Sequence, residues 1–103
     1  MADPMRIRAN AVGDSTEVKV LMNHEMETGQ RKDAQGKTIP AWFIQNVTAT
    51  WNNKTVLSAQ WGPAVSKNPF LSFKFKGGEK GGSVRVTWVD NKGDSRTDET
   101  TIL

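Results

Sequence analysis

The sequence predicts an all-β fold, and three observations carry that prediction. Apolar and polar residues alternate along several short stretches, the period of a half-buried strand. Turn-forming residues separate these stretches at intervals of about eight to twelve residues. No helical period of useful length appears anywhere in the chain.

Seven strands follow in order. Residues 5–9 form a short first strand, ended by the Gly13-Asp14-Ser15 turn. Residues 17–24 place Val18, Val20 and Met22 on one face and Glu17, Lys19 and Asn23 on the other. Leu21 breaks the pattern, so the second face is expected to be partly covered. Residues 42–51 form an aromatic-rich third strand, followed by a turn at Asn52-Asn53-Lys54, where asparagine tolerates the left-handed conformation. Residues 55–61 place Leu57, Ala59 and Trp61 together, and Gly62-Pro63 ends the run. Residues 69–75 set Leu71, Phe73 and Phe75 against Ser72 and Lys74. The stretch Gly77–Gly82, with four glycines in six residues, reads as a hairpin end. Val84, Val86 and Trp88 mark the inward face of a sixth strand. Asn91-Lys92-Gly93 suits a type I turn with a glycine bulge, and residues 96–102 complete the set.

Seven such strands argue for an immunoglobulin-like or fibronectin-like β-sandwich, with a five-stranded OB-type barrel as the alternative. The Cys…Trp…Cys pattern of antibody domains is absent, because the chain has no cysteine. Its 103 residues show no break in composition, so one domain over residues 1–103 is expected. A chain of this size buries roughly 60% of its unfolded surface, enough for one core without staples.

Composition narrows function by subtraction. With no cysteine, no tyrosine and one histidine, the catalytic inventory is thin, and an enzyme is not expected. Ser66 has no histidine near it in sequence, and the acids Glu25/Glu27 and Asp98/Glu99 read as solvated strand-edge pairs. The net charge of +3 is spread over Arg6, Arg8, Arg31, Lys32, Lys37, Lys74, Lys76, Lys80 and Arg85, too diffuse for a nucleic-acid footprint. No apolar run approaches the ~18 residues of a membrane span. The first residues, MADPMRIRANAV, lack the apolar core of a secretory signal, which fits a cytoplasmic protein or one exported with a signal-bearing partner.

Two local motifs resemble metal sites. On a continuing strand Met22, His24 and Met26 project together, and two thioethers with an imidazole suit a soft ion such as Cu(I). The plainer reading continues the Val18/Val20 core face through Met22, with His24 and Met26 at its rim or in a protein contact. Asp90-Asn91-Lys92-Gly93-Asp94 has the flavour of a calcium loop but lacks its spacing, and a hairpin turn explains it better. No metal and no cofactor is therefore assigned, and a copper-binding sandwich stays as the alternative function.

The most informative segment is the polar loop over residues 26–40, far longer than the about two to five residues of a hairpin loop. Long ordered loops on small domains usually carry function. Trp42 and Phe43 stand at its end, and one of two neighbouring strand residues must face away from the core. If that second face is not covered internally, an aromatic there marks a partner surface, and the alternative is a tryptophan packed under its own long loop.

This segment also carries a resemblance. His24-Glu25-Met26-Glu27-Thr28-Gly29-Gln30-Arg31-Lys32-Asp33, followed by Gly36, Ile39-Pro40-Ala41 and Phe43-Ile44, is similar to the signature of the SoxZ family. Val65-Ser66-Lys67-Asn68-Pro69-Phe70 and Val86-Thr87-Trp88-Val89-Asp90-Asn91-Lys92-Gly93 extend the match along the chain. Departures occur at Glu25, Trp42 and Asn53, where the family often has proline, histidine and glycine.

The resemblance implies an immunoglobulin-like sandwich that pairs with SoxY as a heterodimer or a dimer of heterodimers. SoxY holds thiosulfate-derived sulfur on a cysteine of a mobile glycine-rich arm. The arm is presented in turn to a haem-containing conjugating enzyme, a sulfate-releasing hydrolase and a sulfur dehydrogenase. The family works in the periplasm, exported on the partner's signal peptide. The role implied for this chain is a non-catalytic scaffold. Met22, His24, Met26, Trp42 and Phe43 are expected at the apolar centre of the partner interface. Glu27, Arg31, Lys32 and Asp33 are expected at its charged rim.

Overall fold

The computed structural model describes residues 4–103, and all seven expected strands are present. They are β1 (Arg6–Val12), β2 (Ser15–Leu21), β3 (Ile44–Trp51), β4 (Lys54–Gln60), β5 (Phe70–Lys76), β6 (Ser83–Asp90) and β7 (Ser95–Thr101). They build two antiparallel sheets, one ordered β1-β2-β5 and the other β4-β3-β6-β7. The arrangement is an immunoglobulin-like β-sandwich.

Strand alternation decides which residues form the core. Rows Ala9–Val18–Phe73 and Ile7–Val20–Leu71 cross the first sheet and face inward. Opposite them Val47, Ala49, Val84, Val86 and Trp88 come from the second sheet. All but the partly buried Ile7, Leu71 and Phe73 are fully buried, and together they form one apolar core. The final residues tie the sheets together. Ile102 bridges to Ala9, and Leu103 exchanges backbone bonds with Ala9 and Ala11 at 2.9 Å each.

The turns use the residues that their backbones demand. Asn52 and Asn53 both take positive φ (52° and 60°), the left-handed pair of a tight hairpin. In the glycine-rich turn, Gly78 (φ 89°) leaves room for Thr16, whose buried hydroxyl donates to the carbonyl of Gly77 at 2.7 Å. A side chain at Gly78 would collide with that hydroxyl.

The first hairpin is tighter than the sequence expectation, β1 running on to Val12 and β2 starting at Ser15, and two further boundaries differ on either side of the long loop. β2 stops at Leu21, so Met22, Asn23 and His24 lie beyond it. Opposite Met22 stands Pro69, whose carbonyl accepts the Met22 N–H at 2.9 Å but which has no N–H to return, and the next residue to pair is Asn68, held at φ 52°. Its side-chain oxygen then accepts the His24 N–H at 3.1 Å in place of a backbone carbonyl. On the other side β3 starts at Ile44, and Trp42 makes only an isolated bridge with Glu27.

Candidate functional site

The connection from β2 to β3 is an ordered arm. Glu27 and Trp42 exchange backbone bonds of 2.6 and 3.0 Å at its base, and Lys32 bridges to Thr38 further out. Asp33 closes the tip, its carboxylate accepting the N–H groups of Gln35 (2.9 Å) and Lys37 (3.0 Å). Gly36, at φ 80°, completes that turn. The segment is an irregular hairpin whose residues 30–38 are all exposed.

Beneath the base lies a buried polar network centred on Asp90. Its Oδ2 accepts the indole N–H of Trp42 at 2.7 Å and faces His24 Nε2 at 3.1 Å. Its Oδ1 accepts the backbone N–H groups of Lys92 and Asp94, both at 2.9 Å. Four donors thus converge on one carboxylate, close to its full accepting capacity. Burial alone would raise the Asp90 pKa. The bonds from His24, Trp42, Asp94 and Lys92 outweigh it and hold the carboxyl below its ordinary value.

His24 is fixed just as firmly. Its Nδ1 accepts the Met26 N–H at 3.1 Å, which leaves the ring proton on Nε2, pointing at Asp90. The ring lies 5.0 Å from Trp42 and meets Trp88 edge-on at 5.1 Å. Lys92 sets its ammonium 4.5 Å from the centre of the Trp42 ring, a cation–π contact that secures the arm's foot. Met26 holds a left-handed backbone (φ 51°) that a side chain of its shape disfavours. The bonds to His24 and the Glu27–Trp42 bridge sustain that conformation. Among the described residues, Trp88 Nε1 is the one buried side-chain polar atom without a partner.

The nine residues singled out from sequence therefore divide. Met22, His24 and Met26 do share a side, as alternation predicts, but that side is the interior. This corrects the expectation of an exposed apolar centre made from them. The same geometry counts against the copper arrangement. Both imidazole nitrogens are engaged, Met26 Sδ accepts the Ile44 N–H at 3.4 Å, and Met22 is packed in the core. Trp42 and Phe43 are half-buried, with Phe43 N–H donating to Asn91 Oδ1 at 2.8 Å. Arg31, Lys32 and Asp33 are exposed on the arm, and Glu27 is half-buried at its base. Arg31 grips Glu27 in a forked pair, with contacts of 2.8–3.1 Å. That bond is the main reason the Glu27 pKa is lowered.

Sequence reasoning missed Asp90 as the hub, along with Asn68 and Asn91. A signal was present. Asp90 continues the inward phase of Val84, Val86 and Trp88, just as His24 continues that of Val18, Val20 and Met22. Two polar residues on inward phases at the same end of a sandwich must find partners, and the simplest partners are each other.

No curated protein sequence matches the chain. Similar solved structures include a superoxide reductase in the oxidized state, with 15% identity and a TM-score of 0.63, covering 99% of this chain and 89% of that one. A superoxide reductase (neelaredoxin) from Ignicoccus hospitalis has 13% identity and a TM-score of 0.61, covering 98% and 80%. One from Archaeoglobus fulgidus has 18% identity and a TM-score of 0.57, covering 95% and 84%. Identities this low speak for the shared sandwich fold alone. The sequence itself is more specific. The family model for the sulphur oxidation protein SoxZ matches residues 5–101, which include the arm and every residue of the Asp90 network. On that match the chain belongs to the SoxZ family and has its place in sulfur oxidation.

Proposed function

We propose that this chain is the non-catalytic half of a sulfur-carrier heterodimer, pairing with a SoxY-like subunit whose cysteine holds the sulfur. The family match over residues 5–101 carries this reading. The chain's chemistry agrees with it, because a protein without cysteine cannot hold sulfur as a thiol adduct and must work through a partner that can. The pair would act in the periplasm, delivered there together, and present the loaded arm of the partner to successive Sox enzymes in passing encounters.

The recognition surface in this proposal is the exposed arm. Arg31, Lys32 and Asp33 project from its outer half, and the Glu27–Arg31 fork stiffens it. Charged groups so placed set orientation and encounter rate more than affinity. Trp42 and Phe43 hold the foot of the arm against the sandwich, while Met22, His24 and Met26 support it from inside.

The test is recovery of the tagged chain from a thiosulfate-grown source cell, with intact mass spectrometry of what co-elutes. One partner in equal amount, ending in a cysteine-bearing segment and partly carrying sulfur adducts, is the expected result. Recovery of the chain alone, or with copper or nucleic acid, contradicts it. Periplasmic release of the pair on cold osmotic shock checks the compartment.

A further inference from the structure

The outer face of the β1-β2-β5 sheet carries a second surface that the arm does not explain. The strand registers place Arg6, Leu21 and Phe70 in one row across this face, and Arg8, Lys19 and Ser72 in the next. Leu21 is 42% exposed and Phe70 62% exposed, so two large apolar side chains sit side by side in water. Between them and the cations lies an open groove of about 280 Å³, with Ile7 contributing to its wall.

The charges on this face are arranged at a local cost. Arg8 stands directly opposite Lys19, and like charges directly opposite one another destabilise a strand pair. Among the described residues, Arg6, Arg8 and Lys19 have no carboxylate within ion-pair distance. The one acid on the outward positions of these strands, Glu17, already faces Lys74 at 3.9 Å. Unpaired cations beside exposed apolar side chains break the ordinary surface rule, and such breaks concentrate at functional sites.

We propose that this face docks an extended acidic segment of a partner protein. An apolar side chain of that segment lies between Leu21 and Phe70, and its carboxylates sit over Arg6, Arg8 and Lys19. Charge complementarity chooses an acidic occupant. The apolar floor chooses a polypeptide over a nucleic acid, whose regular phosphates call for a stripe of cations. This surface lies on the sheet that does not carry the Asp90 hub, so the inference stands apart from the role proposed for the arm.

The test uses the full ¹⁵N-labelled chain and a synthetic peptide of glutamates flanking one phenylalanine. Controls are the same peptide with serine for phenylalanine, a lysine version, and an oligothymidylate of equal charge. Amide shifts confined to the ends of β1, β2 and β5 around Arg6, Leu21 and Phe70 are expected. Binding should weaken with salt, and fall at least about tenfold in Arg8→Glu/Lys19→Glu. Phe70→Ser should remove the preference for the phenylalanine peptide. Shifts elsewhere, no binding at millimolar peptide, unchanged affinity in a folded double variant, or equal binding of the oligothymidylate overturns the proposal. Should a variant fail to fold, the shift map on the unaltered chain decides.

Discussion

The base and the tip of the arm are about ten residues apart in sequence and opposite in physical character. At the base, His24 and Asp90 are buried and each oxygen of the carboxylate faces two donors. At the tip, Arg31, Lys32 and Asp33 stand in water, held by one side-chain cap and one forked ion pair. A buried network of this kind loses heavily when one member is removed. Exposed charges contribute little to the fold and are free to meet another molecule. The difference assigns the base to building the arm and leaves the charges of the tip available for the recognition role proposed above.

The largest expected effect breaks the base. Asp90→Ala strands the buried His24 N–H and takes the acceptor from the half-buried Trp42 indole and two backbone donors of the following turn. It should lower stability by about 3–5 kcal/mol, read from urea unfolding followed by circular dichroism. A loss below about 1 kcal/mol would mean that the network is incidental to the fold.

Acid should act on the same point. The Asp90 pKa is lowered in the folded chain, so its contribution is present above the ordinary carboxylate range near pH 4 and fades as pH falls through the depressed value. Asp90→Asn removes that titration, so its stability should fall less steeply than the parent's between about pH 4 and 2. Parallel slopes would assign the acid sensitivity to other carboxylates.

A smaller effect is expected at Trp42→Phe, which keeps a ring beside His24 and deletes one hydrogen bond. It should cost about 1 kcal/mol and loosen the arm, seen as faster amide exchange at Glu27. At the tip, Arg31→Ala should leave the unfolding midpoint where it is and reduce the salt dependence of association with the partner.

The strands were legible because period-two alternation survives tertiary packing in a two-layer fold. Val18, Val20, Val84, Val86 and Trp88 read as inward from sequence, and all are buried. The end of β2 was not, because the Asn68 side chain takes the His24 N–H, and neither was the start of β3, where the Asn91 side chain takes the Phe43 N–H. Alternation placed Met22, His24 and Met26 on one side, yet periodicity says nothing of whether that side meets solvent or core. In sequence the ring looks like a free ligand because its partner lies 66 residues away at the end of β6. The arm was legible as a long polar loop, while its own hairpin pairing depends on the left-handed Met26, which no residue preference announces.

The central claim is that recognition sits at the tip and folding at the base. Titration calorimetry of the co-purified SoxY-like partner against Arg31→Glu/Lys32→Glu tests it most directly, with thermal unfolding measured on the same samples. The account predicts affinity lowered about tenfold or more with the unfolding midpoint unchanged. Affinity equal to the parent's in a normally folded variant would contradict it and move the interface away from the arm.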